Sequence, residues 1–229
     1  QINNSNSKKN YIFEKILSLN QKNMKNLGVL LSTMLLAGLT FAQIASSTVE
    51  GNYDFVKNQS LIGITFDYSK AKVNGFDGME AYVDANVAEL TMMENEKEGK
   101  KWAEGWFESY DVAGDEFIAV LNDEIGGKKS GLKFEKNAKS AVYGVFEFSE
   151  FTNGKGFGSV CTISGTLTFY DANKKTLAVE DYKSVVGNPS GMMGIFTLGD
   201  GYKLNSCYKK AAVRLGKKLY NQYFDKNKK

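Results

Sequence analysis

The stretch L61-I-G-I-T-F-D-Y-S-K-A-K-V-N-G75 decides how this chain is read. Ile62, Ile64, Phe66 and Tyr68 alternate with Gly63, Thr65 and Asp67, and a period of two over β-forming residues predicts a strand with one buried face. "NGFDG" at 74–78 supplies turn residues after it. From Tyr82 to Ile125 the period changes. Trp102, Trp106, Tyr110, Ala113, Phe117, Leu121 and Ile125 recur at steps of three and four, one apolar stripe on a long helix. "GGKKSG" at 126–131 stops that helix.

Three further strands are predicted at 141–151, 159–170 and 176–186, joined by "TNGKGFG" and "DANKK", connections of the kind found in antiparallel hairpins. In the middle strand Cys161, Ile163, Leu167 and Phe169 share one face, while Thr162, Ser164, Thr166 and Thr168 share the other, so one face is core and one is wet. A last helix, 204–224, carries Leu204, Tyr208, Ala211, Leu215 and Leu219 on one stripe. The expected fold is therefore α+β: an antiparallel sheet with two long helices packed on one face, in the order strand, helix, three strands, helix. Residues 60–226 form a single α+β domain in this reading. Residues 43–59 are a lead-in with an edge strand near Tyr53 to Val56.

The N-terminal part has a different character. Residues 24–42, "MKNLGVLLSTMLLAGLTFA", have a short basic start, an apolar centre and small residues at the end, the pattern of a secretory signal peptide cleaved after Ala42. The apolar run is shorter than the roughly 20 residues a membrane span needs and is interrupted by Gly28, Ser32, Thr33, Gly38 and Thr40, so a retained membrane anchor is the weaker alternative. "LLAG" at 35–38 begins like a lipoprotein box, but Leu39 stands where the cysteine belongs. Because a signal peptide works from the N-terminus, residues 1–23 are read as a probable upstream or disordered extension. The expected product is periplasmic or secreted, with no stable membrane anchor after cleavage.

Removing residues 1–42 takes away five lysines and one acid, which leaves 24 basic and 25 acidic residues from the chain's 29 and 26. The remainder is near neutral, so nothing marks a nucleic-acid partner.

The chain contains no histidine. Catalytic triads that use imidazole and histidine metal sites are excluded on that ground. No Walker loop or GxGxxG is present, "GIFTLGDG" at 194–201 lacks the spacing, and no cofactor is expected. Asp171, Asn173, Glu180 and Asp181 suggest a calcium loop, but Lys174 and Lys175 intrude and no glycine sits at its centre, so a solvated hairpin is the adopted reading. Glu147 and Glu150, or Asp67 with another strand acid, supply carboxylates that a glycoside hydrolase would need, with surface charge as the plainer account. Trp102 and Trp106, one turn apart, offer either a stacking platform for a flat ligand or core packing. In the loop at 187–201, Met192, Met193, Ile195 and Phe196 form an apolar segment that either closes the core or meets a partner. Cys161 and Cys207 both point towards one sheet–helix interface if the last helix packs on that face. They form either a bridge or two separate buried thiols.

"FDYSKAKVNG" (66–75), the helix end "FIAVLNDEIGG" (117–127), the hairpin "TLTFYDANKKTLAVED" (166–181) and the close "GDGYKLNSCYKKAAVRLGKKLYNQYF" (199–224) together resemble an uncharacterised family of secreted Bacteroidetes proteins. Their order is also similar to the domain shared by curli-secretion-type envelope lipoproteins and the TolB N-terminal domain. The resemblance implies a non-enzymatic cell-envelope protein that binds or assembles with an envelope partner or with itself. The alternatives are a histidine-free carboxylate hydrolase acting on glycans and a self-associating structural protein.

Overall fold

The alternation at Ile62 to Tyr68 does build a strand, and that strand is flanked on both sides by others. A computed structural model describes residues 47–153, 160–188 and 200–225, all within one compact unit, Ala45–Lys229. The extension and leader at 1–42, the first residues of the lead-in, residues 191–199 with Met192, Met193, Ile195 and Phe196, and the lysine-rich tail at 226–229 lie outside the described residues.

The elements are β1 (Ser47–Gly51), a 3-10 turn (Asp54–Asn58), β2 (Leu61–Asp67), β3 (Lys72–Val73), β4 (Phe76–Asp77), α1 (Met79–Met93), α2 (Glu96–Glu124), β5 (Lys133–Lys136), β6 (Val142–Asn153), β7 (Cys161–Asp171), β8 (Thr176–Val186), α3 (Asp200–Leu219) and a π turn (Tyr220–Phe224). The sheet runs β1-β8-β7-β6-β2-β5, and β3, with β4 folded onto it, continues beside β6 beyond the end of β2. Among the described residues no helix is long and apolar enough to cross a membrane.

The α+β class holds, with two corrections. The sheet is mixed: β2 is parallel to both β5 and β6, whereas β6–β7, β7–β8 and β1–β8 are antiparallel. A helical crossover between β2 and β5 returns the chain to the end where β2 began, and that makes the pair parallel. Secondly, there are three helices among the described residues in place of two. The long stretch from Tyr82 breaks at Glu94, and Asn95, in extended conformation, accepts a hydrogen bond from the Glu98 backbone N–H at 3.2 Å to start α2. Asn95 with Glu98 three residues on is an N-terminal capping pattern inside an otherwise helical run.

The lead-in also differs. Its strand is β1, while Tyr53 and Val56, three residues apart, both enter the core from a 3-10 turn. The "NG" at 74–75 is the two-residue connection of the β3–β4 hairpin, with φ of 49° and 85°, the pair of left-handed values that a type I′ turn requires.

One face of the sheet packs beneath α2 and α3. Ile62, Ile64, Phe134, Phe146, Leu167, Phe169 and Tyr182 are buried there. Phe66 is the meeting point: it lies 5.6 Å from Phe117 of α2 and 5.9 Å from Tyr208 of α3. The α2 stripe is buried from Trp106 to Leu121, and Leu204, Tyr208, Ala211, Leu215 and Leu219 are buried along α3. The opposite face, with Thr65, Tyr143, Val145, Thr166 and Asp181, is half-exposed to exposed.

The parallel arrangement forces a crossing. After β5 the chain must pass from one side of β2 to the other to enter β6, and it does so directly over Gly63. A side chain there would run into the Ala138 backbone. Gly63 N–H donates to Ser140 Oγ at 2.8 Å and Asn137 N–H to the Ile64 carbonyl at 2.9 Å, which fixes the crossing strand on β2. Gly63→Val should destabilise the protein by about 3 kcal/mol or more in denaturant unfolding, whereas Thr65→Val, on the same face, should change stability by under about 1 kcal/mol.

The aromatic core adds a dependence on pH. Tyr208 Oη donates to Tyr68 Oη at 2.9 Å. Burial raises the ionisation of Tyr68, Tyr110, Tyr182 and Tyr208 above the ordinary value of 10.0. A tyrosine whose folded pKa is raised contributes stability that is complete below the unfolded value and is lost as pH climbs past it. Stability should therefore fall above about pH 10, and in an absorbance titration these four phenols should ionise only as the chain unfolds.

Candidate functional site

Alternation along β8 turns Ala178, Glu180 and Tyr182 towards the helices, so an acid occupies a core position. Glu180 is fully buried, and a carboxylate there requires partners. Tyr53 Oη donates to Glu180 Oε2 at 2.6 Å, and Lys218 Nζ reaches the same oxygen at 2.7 Å. Lys218 also stands 5.4 Å above the Tyr53 ring. Three distant segments thus close on one carboxylate: β8, the start of the 3-10 turn and the end of α3.

Tyr53 connects this cluster to the surface. A cleft of about 550 Å³ lies beside it, lined by residues 51–54, Lys57, Gln222 and Tyr223. The π turn, wider than an α turn, brings Gln222 and Tyr223 to the cleft. Asn52 Oδ1 accepts the Asp54 N–H at 2.9 Å, Lys57 pairs with Asp54 at 2.9 Å, and the same ammonium lies 5.1 Å over the Tyr223 ring. The buried carboxylate is engaged by a phenol and an ammonium, which suits a structural anchor. The cleft offers amides, one acid, one cation and a ring, the side chains of a polar binding surface.

Trp102 and Trp106 are brought together as a stack, 5.5 Å apart with planes at 15°. Trp106 is only 2% exposed, and Tyr82, Tyr110 and Phe151 enclose it at 5.0, 5.4 and 5.7 Å. The pair is core at Trp106 and a half-buried cover at Trp102, so two open indole faces are not presented. Trp106 Nε1 and Tyr110 Oη are buried without a hydrogen-bond partner among the described residues.

Asp67 and Glu147 are register neighbours on β2 and β6, on the open sheet face. The backbone N–H of Ser69 holds Asp67 below the usual carboxylate range, and Lys70 lies 3.6 Å from Glu147. A glycosidase needs one carboxyl that keeps its proton, and Asp67 is shifted the other way. Glu150 stands beyond the β6 bulge, opposite Lys72 of β3.

The calcium-type set is split. Asp171 Oδ1 accepts the N–H groups of Asn173 and Lys175, both at 2.9 Å, and so closes the hairpin, while Glu180 and Asp181 point to opposite faces of β8. Among the described residues no group of three or more acids or cysteines is placed to hold a metal ion.

Cys161 and Cys207 form a disulfide, with Cα atoms 6.8 Å apart and both side chains fully buried. Of the two readings open to the sequence, the bridge is the one observed.

The Glu180 cluster was missed at the level of sequence. Its signal is an acid standing in register with Ala178 and Tyr182. Lys218→Met, which removes an ammonium hydrogen-bonded to the fully buried Glu180 carboxylate, should cost about 3 to 5 kcal/mol. Tyr53→Phe, which removes one hydrogen bond, should cost about 1 to 3 kcal/mol. Denaturant midpoints of the two variants measure the difference.

No family model matches the chain, and no curated protein matches it. Among solved structures, the PelC dodecamer from Paraburkholderia phytofirmans is similar at a TM-score of 0.38 and 8% identity, covering 75% of this chain and 98% of that one. A point variant of the same PelC dodecamer is similar at a TM-score of 0.36 and 7% identity, with the same coverage. Likeness at that level carries no argument about ancestry, assembly or ligand.

Proposed function

We propose that this chain is an exported cell-envelope domain, periplasmic or secreted, with a non-enzymatic binding or assembly role. The observation that carries the reading is the Cys161–Cys207 bridge. Disulfides persist in oxidising compartments and are rare where thiols are kept reduced, and an apolar leader at 24–42 supplies the route to such a compartment. The polar lining of the cleft beside Tyr53 supports a binding role. The histidine-free hydrolase has less support, since Asp67, the register neighbour of Glu147, is held below the usual carboxylate range by the Ser69 N–H.

The loop closed by the bridge spans 46 residues and joins β7 to α3 across the hairpin. In the chain-entropy account such a link stabilises by about 4 kcal/mol. Protein recovered from its native compartment should begin at Gln43 by N-terminal sequencing, show no free thiol after unfolding, and lose about 4 kcal/mol on reduction. Two free thiols, or a leader still attached, would overturn the proposal.

A further inference from the structure

The helix α1 breaks the rule that a surface helix turns a polar face outward. Its polar residues are Glu80, Asp84, Asn86, Glu89 and Thr91 alone; the rest of its fifteen residues are apolar. Tyr82 and Val83 are buried, and Met79 and Val87 pack against the core. At 100° per residue Ala81, Ala85, Ala88 and Met92 fall on the opposite side, spaced by four, three and four. Ala81, Ala88 and Met92 are exposed there and Ala85 is half-buried. Met92 is 83% exposed and Met93 74%, the most exposed large apolar side chains among the described residues.

The charges that α1 itself carries have one sign. Glu80, Asp84 and Glu89 on α1 and Glu94 at its end are exposed, and α1 holds no lysine or arginine. None of these four acids makes an ion pair among the described residues. Of the lysines that open α2, Lys97, Lys100 and Lys101, Lys100 is paired with Glu96 at 2.6 Å.

We propose that the outward face of α1 docks a cationic amphipathic helix of a partner protein, with apolar residues along its centre and lysine or arginine at its flanks. The small side chains at 81, 85 and 88 permit close approach of two helix axes, the methionines adapt to the partner's surface, and the acids select its charge. A second copy does not fit. Antiparallel pairing of two α1 helices about Ala85 would set Asp84 of one close to the same acid of the other, and like charges in contact repel. The negative rim disfavours an anionic bilayer for the same reason. At about 1.5 Å per residue, α1 offers a seat of four turns.

This deepens the binding-or-assembly reading and rests on it for its biological setting, but the test is separate. The full exported protein is titrated, with anisotropy as readout, against two labelled fifteen-residue helical peptides of leucine and lysine or leucine and glutamate that share one apolar face. The lysine peptide should bind at least tenfold more tightly than the glutamate peptide, and its affinity should fall as salt is raised. Ala88→Arg, at an exposed helical position, should weaken the lysine peptide at least tenfold with unchanged circular dichroism. Thr166→Arg, the same charge change on the open sheet face, should leave it unaltered. Equal binding of both peptides, indifference to Ala88→Arg, or a dimer in solution that Ala88→Arg dissolves would overturn the proposal. If the lysine peptide fails to bind a protein whose thiols are bridged and whose leader is gone, only the α1 partner falls. Free thiols would remove the broader reading instead.

Discussion

The passage of the chain over Gly63 is the constraint on which the sheet depends. Two strands run parallel to β2, one on each side, and only a short connection joins them. Geometry then requires that connection to cross β2, and the crossing backbone fills the volume of a side chain. Ser140 and Asn137 convert contact into register through their hydrogen bonds to Gly63 and Ile64. With β6 set in place beside β2, the antiparallel meander of β6, β7 and β8 follows by hairpin connections, and β1 closes the far edge.

The last helix is held to this sheet at both ends by different chemistry. Near its start Cys207 is covalently joined to β7 through Cys161, and near its end Lys218 meets Glu180 on β8. A buried ion pair gives little net stability relative to an apolar replacement, because desolvation offsets most of the attraction. Its consequence is positional: only one seating of α3 on β8 brings Lys218 to the buried carboxylate, so alternative seatings are disfavoured. Tyr53 joins the same carboxylate, and through it the first part of the domain is tied to the last. The cleft beside Tyr53 therefore sits on a rigid base.

The exposed surfaces divide accordingly. Threonine and tyrosine side chains occupy the open sheet face, an ordinary wet surface for an antiparallel meander. The α1 helix is different, since its apolar residues are distributed around the axis while only one side is covered. The loop around Met192 and Met193, read from the sequence as either closing the core or meeting a partner, lies outside the described residues; among the described residues an exposed methionine pair stands at Met92 and Met93, at the end of α1.

Periodicity by itself determined the strands β2, β6, β7 and β8, the buried stripes of α2 and α3, and the wet face of β7, because each depends on local alternation between water and core. It put Cys161 and Cys207 at one interface only on the condition that the last helix packs on that sheet face, and left bridge or thiols open, since that turns on a Cα separation that only packing sets. The break at Asn95 was not read from the sequence, where the stretch from Tyr82 to Ile125 follows one helical period. What only the tertiary structure decided is everything that depends on neighbours distant in sequence. The parallel pairing of β2 follows from which end of the sheet the helices return to. The burial of Trp106 follows from Phe151 and Tyr82 closing round it. The role of Glu180 follows from Tyr53 and Lys218, residues 127 and 38 positions away. An acid in an alternating strand reads as solvent-facing until the side chains that compensate its charge are seen to arrive from elsewhere.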